Sequence, residues 1–188
     1  MSSLTLFSPL LIFALIACTL GDVFLPHSPG WFASGLWSTL PGENWRLATY
    51  SLFLGPPVQA ILSLLTIALV APGLENQRGG PVALAVRWIV ATLALGACEK
   101  IGPAYYITGP TLVAVTFLAE AMLVARLQGQ RAPWKSWSVL LAGNLVSAFL
   151  QGWIFPDLFL SLFLGALFTV ASQNWLDRQS ALGAGSRP

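Results

Sequence analysis

The sequence predicts an all-α fold of six transmembrane helices, because its composition is too apolar for a soluble core of this size. Of the 188 residues, 56% belong to the hydrophobic set and 9% are charged, whereas a soluble domain carries about 25% charged residues. The mean hydropathy is +0.74. A soluble domain of this length leaves too much surface in water to bury so many apolar side chains. The composition therefore favours a polytopic protein whose principal partner is the lipid bilayer.

Six apolar segments define the expected spans, and each is near the roughly 20 residues that cross a bilayer as a helix. They run over 4–20, 50–70, 81–98, 105–124, 137–155 and 158–173. The second is interrupted by Gly55-Pro56-Pro57. The first lacks the basic region and cleavage pattern of a signal peptide, so we expect a retained span. The expected organisation is one membrane domain over 1–179 and a flexible cytoplasmic tail over 180–188.

The distribution of basic residues predicts the orientation of the chain. With the N-terminus inside, the interior side receives six basic residues: Arg78, Arg126, Arg131, Lys135, Arg178 and Arg187. The exterior receives two, Arg46 and Lys100. Because basic residues are enriched in cytoplasmic loops, both termini are expected in the cytoplasm. The expected location is a bacterial inner membrane.

Two charged residues fall inside the expected spans, where ionisable groups often mark functional sites. Arg87 lies in the third span and Glu120 in the fourth, at similar distances from their inner ends. Consecutive antiparallel helices would place the two at similar depth, so an interhelical ion pair is expected. Snorkelling towards the interface and a proton or ion pathway are the alternatives. A third ionisable group that would extend such a pathway is missing.

The fifth span carries Asn144, Ser147 and Gln151, whose spacing places them on one helical face. In lipid, such a face must turn inward or against a partner, because unsatisfied amides are costly there. The three residues are therefore either contacts between helices or candidates for a face that binds a partner or a lipid headgroup.

The counts of cysteine, histidine and charge restrict the chemistry. Cys18 and Cys98 lie in apolar runs and are expected to be small buried side chains. His27 is the single histidine, which excludes the two-histidine metalloprotease motif. Nine basic residues against seven acidic ones form no basic face for nucleic acid. We expect no metal, no cofactor and no nucleic-acid partner.

The segment from Trp45 to Gly79 resembles the rhomboid intramembrane serine proteases. Trp45, Arg46 and Thr49 precede the second span, and Glu75 and Gly79 follow it. In that family a Trp-Arg pair in the first loop opens the second helix, and a Glu-containing turn with a later Gly closes it. The six-span layout, the inward termini and the long first loop also match. The resemblance implies a rhomboid-like helical bundle.

The active-site positions depart from the family pattern. The resemblance places the two oxyanion donors at Gln59 and Ser63, and the nucleophile at Gly109 or Thr111, depending on the offset. The histidine of the sixth helix corresponds to Leu158, an aliphatic residue that cannot act as a base. A hydroxyl is a poor nucleophile without an adjacent base. His27 could supply one only by reaching over from the first loop, where an ordinary interfacial role is the simpler interpretation.

The sequence therefore predicts a rhomboid-like pseudoprotease. By resemblance to inactive members of the family, we expect a scaffold or binding subunit for a transmembrane client or a membrane complex. The first alternative is a divergent rhomboid-type protease or sortase-like transpeptidase. The second is an accessory subunit of a respiratory or photosynthetic complex, and the third is a small transporter or channel.

Overall fold

The computed structural model describes residues 6–24, 49–52, 54, 57–77, 80–99, 110–129, 133–150 and 155–184. Within these ranges the chain is helical and contains no β-strand, which confirms the all-α prediction. The helices are α1 (Phe7–Phe24), α2 (Pro57–Gln77), α3 (Gly80–Glu99), α4 (Thr111–Leu127), α5 (Trp134–Leu150) and α6 (Phe155–Ala184). A 3₁₀ turn (Tyr50–Leu52) precedes α2.

The helix boundaries differ from the expected spans, most clearly in the second, fourth and sixth helices. The second helix begins at Pro57 rather than at Tyr50, because proline fits the first helical position, where its missing N–H would have no intrahelical partner. The fourth begins at Thr111 rather than near Tyr105. The sixth continues to Ala184, so the expected flexible tail begins in a helix. The stretch 174–182 contains neither Gly nor Pro, and nothing in it stops the helix.

Helix α4 occupies the centre of the described bundle. Every residue from Thr111 to Ala121 is buried, and α4 packs against α2, α3, α5 and most extensively α6. The approach to α6 is close at Gly165, where an added Cβ would lie 2.7 Å from the Thr116 carbonyl oxygen. Small residues allow helix backbones to come this close. Side chains on α4 therefore face neighbours on every side.

Glu75 joins the end of α2 to the beginning of α1. Its carboxylate oxygens accept hydrogen bonds from the backbone N–H groups of Leu6, Phe7 and Ser8, and from the Ser8 hydroxyl, at 2.6–3.0 Å. The first N–H groups of a helix lack intrahelical acceptors, and negative charge is favourable at that end. Glu75 thus caps α1 from a neighbouring helix.

The described helices have an apolar exterior and a partly polar interior. Phe13, Val82, Val139 and Phe159 are each more than 70% exposed. Nine serine, threonine, glutamine, asparagine or glutamate residues within the described ranges are 0% exposed: Ser51, Gln59, Ser63, Thr66, Thr111, Thr116, Glu120, Asn144 and Ser161. Two helical segments, Pro57–Asn76 and Gly80–Ala97, are long and apolar enough to cross a bilayer. The interior is therefore where polar chemistry can be sought.

Candidate functional site

A neutral polar cluster joins three helices around the positions that the rhomboid resemblance assigns to the active site. It consists of Gln59, Ser63 and Thr66 on α2, Thr111 on α4 and Asn144 on α5, all fully buried. The α2 residues are spaced by four and three, which places them on one face. The Ser63 and Thr111 hydroxyl oxygens are 2.8 Å apart. The Asn144 amide donates to the Thr66 hydroxyl at 3.0 Å.

The pairing of Thr111 determines what this neutral cluster can do. Thr111 is the first residue of α4, and the hydroxyl that contacts it belongs to Ser63. A serine hydroxyl can exchange a hydrogen bond with threonine, but it is not a general base. Leu158 is partly buried and packs against the apolar core. Gly109, the other candidate for the nucleophile position, lies outside the described residues.

A groove between α2 and α5 has a volume of about 610 Å³. Its lining is apolar except for one serine: Val58, Leu62, Val139, Ala142, Gly143, Val146 and Ser147. Gly143 lies where the α5 wall packs closely on α2, because an added Cβ there would meet the Leu62 side chain at 3.2 Å. The groove therefore combines small residues, exposed valines and a single hydroxyl.

The three polar residues expected on one face of the fifth span have different positions. Asn144 turns inward and donates to Thr66 and to the Leu140 carbonyl at 2.8 Å. Ser147 is 8% exposed and lines the groove. Gln151 lies outside the described residues. Ser147 thus lines the groove, while Asn144 connects α5 to α2.

A charged cluster lies in the C-terminal half of α4, whereas the neutral cluster includes its first residue. The Arg87 Nη1 atom is 3.4 Å from Glu120 Oε1, and Arg87 Nη2 donates to the Ser172 hydroxyl at 3.1 Å. The Glu120 side chain is fully buried, and that of Arg87 is 11% exposed. The structure thus brings Arg87 and Glu120 together. Sequence reasoning missed Ser172, although Ser161, Thr169 and Ser172 recur at helical spacing within an apolar span.

The motif residues flanking α2 are only partly described. Glu75 caps α1, and Thr49 is half-buried beside the 3₁₀ turn, whereas Trp45, Arg46 and Gly79 lie outside the described residues. That turn is held to α3, because Tyr50 donates to the Thr92 carbonyl and the Ser51 and Thr92 hydroxyls are 2.9 Å apart. Sequence reasoning gave Thr92 no role, since a single threonine in an apolar span carries no distinguishing pattern.

The neutral cluster contains hydrogen-bonding groups but, among the described residues, no histidine to serve as a base. His27, the single histidine of the chain, lies outside them. A comparison with protein-family models finds no match, and none of the curated proteins searched matches the chain. The rhomboid resemblance therefore stays a prediction, carried by the residues named above.

Proposed function

We propose that the chain is a proteolytically inactive, rhomboid-like membrane protein that acts as a scaffold or binding subunit for transmembrane partners. The observation that carries this proposal is the Ser63–Thr111 hydrogen bond of 2.8 Å. It joins a position expected for an oxyanion donor to a position expected for the nucleophile. Two positions assigned from the sequence are thus in contact between α2 and α4, but both carry hydroxyl groups and neither is a base.

The burial of this hydroxyl pair argues against hydrolysis. Acyl transfer needs a nucleophile, a base within hydrogen-bond reach and access for water. Thr111, Ser63 and Gln59 are all 0% exposed. Leu158, at the position expected for the base, has no group that could accept a proton. The neutral cluster is therefore better suited to holding α2 against α4 and α5 than to chemistry.

The distribution of polarity supports placing the bundle in a bilayer. The outward faces of α1, α2, α3, α5 and α6 carry large exposed apolar side chains, whereas buried positions carry hydroxyls, amides and charges. Lipid is a suitable solvent for such an exterior, and buried polar groups join helices there. In this proposal all six helices span the membrane, with both termini in the cytoplasm.

The groove between α2 and α5 is the proposed docking surface. Transmembrane helices pack closely where small residues lower the surface, and hydroxyls add interhelical hydrogen bonds. Gly143 and Ser147 are four residues apart, so they lie on one face of α5. The partner class that fits is a single transmembrane helix seated between Val58 and Val146.

Site-specific photo-crosslinking in native membranes tests this assignment. A benzophenone side chain at Val146, in the groove, is compared with one at Val86, an apolar position of α3 that is similarly exposed. We expect discrete adducts with transmembrane proteins from Val146 and lipid adducts alone from Val86. Ala142→Leu, which adds bulk at an exposed position of the groove lining, should abolish the protein adducts. Identical adducts from both positions would contradict docking at the groove.

An activity-based probe separates the scaffold from the enzyme. We expect no covalent labelling by fluorophosphonate and no cleavage of model transmembrane substrates, either by the unaltered chain or by Thr111→Ala. Labelling that disappears on Thr111→Ala would restore the protease or transpeptidase alternative. Co-purification in mild detergent distinguishes a single dominant complex, as for an accessory subunit, from many single-span clients.

A further inference from the structure

The charged cluster of Arg87, Glu120 and Ser172 has no part in the proposed docking surface. Arg87 lies seven residues after the beginning of α3, and Glu120 lies seven residues before the end of α4. At 1.5 Å per residue, each is about 10 Å along its helix from the same side of the bundle. Both charges would therefore lie within the hydrocarbon region if α3 and α4 span the membrane.

An arginine at this depth is unfavourable in lipid unless a partner compensates its charge. Glu120 provides the compensating charge from the next helix along the chain, with 3.4 Å between Nη1 and Oε1. The hydrogen bond of 3.1 Å to Ser172 comes from α6, the last helix. The order of the chain therefore makes the charge partner available before the hydroxyl.

We propose that α3 and α4 enter the bilayer together as a hairpin neutralised by the Arg87–Glu120 pair, and that α6 joins afterwards through Ser172. This inference rests on the proposed membrane function, because the pair has this role only within lipid. Its consequence is that Glu120 controls the insertion of α3, a helix to which it does not belong. Ser172 stabilises the finished bundle without affecting that insertion step.

Glycosylation mapping of the full chain in microsomes tests the order. The sequence contains no Asn-x-Ser or Asn-x-Thr site, so any glycosylation occurs at the inserted acceptor. One version carries an acceptor in a Gly-Ser spacer after residue 36, and another carries it after residue 103. Both positions are on the outer side in the proposed topology. Glycosylation after residue 36 shows that α1 has crossed the membrane. Glycosylation after residue 103 shows that α3 has crossed it.

The expected result concerns the acceptor after residue 103. Glu120→Leu should lower its glycosylated fraction to less than half of that in the unaltered chain, although the substitution makes α4 more apolar. Arg87→Leu combined with Glu120→Leu should restore the fraction. Thr116→Val is the matched control on α4, because the Thr116 hydroxyl donates within its own helix to the Leu112 carbonyl, and it should leave the fraction unchanged.

Ser172→Ala separates insertion from assembly. We expect full glycosylation after residue 103 in this variant and a lower thermal midpoint of the purified protein in detergent. Equal glycosylation in Glu120→Leu and the unaltered chain would overturn the hairpin, and a loss in Ser172→Ala would overturn the order. Absence of glycosylation after residue 36 in the unaltered chain would instead contradict the proposed membrane topology, in which both termini are cytoplasmic.

Discussion

The neutral cluster and the charged cluster lie on the same central helix, yet they satisfy their polar groups in different ways. Thr111 and Glu120 are nine residues apart on α4, and both are fully buried. In the neutral cluster, Thr66 also donates to the Leu62 carbonyl, and Asn144 donates to that of Leu140. A carboxylate has no such local alternative, because it can only accept hydrogen bonds and its charge needs compensation.

This difference indicates what each cluster contributes. Hydroxyls and amides that reach their own helix backbone can lose a partner at modest cost. An ion pair in a low-dielectric interior cannot, because the remaining charge stays buried. The charged cluster should therefore dominate stability, whereas the neutral cluster occupies the region that the rhomboid resemblance assigns to the active site.

Disrupting the charged cluster should cause the largest loss in the free energy of unfolding. Glu120→Leu leaves Arg87 uncompensated, and we expect a loss of about 3–5 kcal/mol in the free energy of unfolding. Adding Arg87→Met should recover much of that loss, because the double variant buries no charge. Reversible unfolding in mixed micelles is measured for four chains: the unaltered chain, Glu120→Leu, Arg87→Met and the double variant. Simple additivity of the two single substitutions would show that the residues do not interact.

The second-largest loss in the free energy of unfolding is expected at the close approach of α4 and α6. Gly165→Ala introduces a Cβ 2.7 Å from the Thr116 carbonyl oxygen and 2.8 Å from the Ala119 Cβ. Since backbone atoms cannot give way cheaply, we expect a loss of about 1–3 kcal/mol in the same unfolding measurement. Gly73→Ala on α2 is the control, because nothing lies within 4 Å of its added Cβ. An equal loss in both variants would show that the close crossing is not responsible, since alanine by itself favours a helix over glycine.

Glu75 is a second buried carboxylate, and the effect of removing it can be compared with the effect of removing Glu120. It is as buried as Glu120 but is satisfied by backbone N–H groups rather than by a cation. Removing it uncaps α1 and leaves no unpaired charge behind, so Glu75→Ala should cost about 1–2 kcal/mol. Ser8→Ala, which deletes one of its hydrogen bonds, should cost less. A loss as large as that of Glu120→Leu would contradict the distinction between the two carboxylates.

Some of this arrangement could be predicted from the sequence because it depends on counting along helices. The apolar runs indicated all six helices, and equal distances from helix ends placed Arg87 beside Glu120. The beginning of α2 at Pro57 has a signal in Gly55-Pro56-Pro57, which interrupts the second apolar run, although the expected span began at Tyr50. Ser172 and Thr92 depend on where helices cross, which periodicity within one helix does not determine.

The candidate site also combines features that the sequence predicts with features that depend on contacts between helices. The spacing of Gln59, Ser63 and Thr66 predicts one polar face of α2, but it does not say which helix that face meets. Only the rhomboid resemblance assigns Thr111 and Ser63 to the same site. Asn144 was a candidate for a partner-facing residue, and the structure turns it towards Thr66 because a buried amide needs acceptors and donors nearby.

The smallest effect is expected in the neutral cluster. Ser63→Ala removes one side of the 2.8 Å contact with Thr111, and a neutral hydrogen bond contributes about 1 kcal/mol. Thr111→Ser keeps the hydroxyl and should lie closer to the unaltered chain than Thr111→Val, which removes it. Ser63→Ala and Thr111→Val combined should cost less than the sum of their separate losses, because each deletes the same bond. Crosslinking from Val146 should persist in all these variants, since their side chains do not line the groove. If partner adducts disappear while the fold is retained, the hydroxyl pair takes part in binding and the two clusters do not divide stability from function.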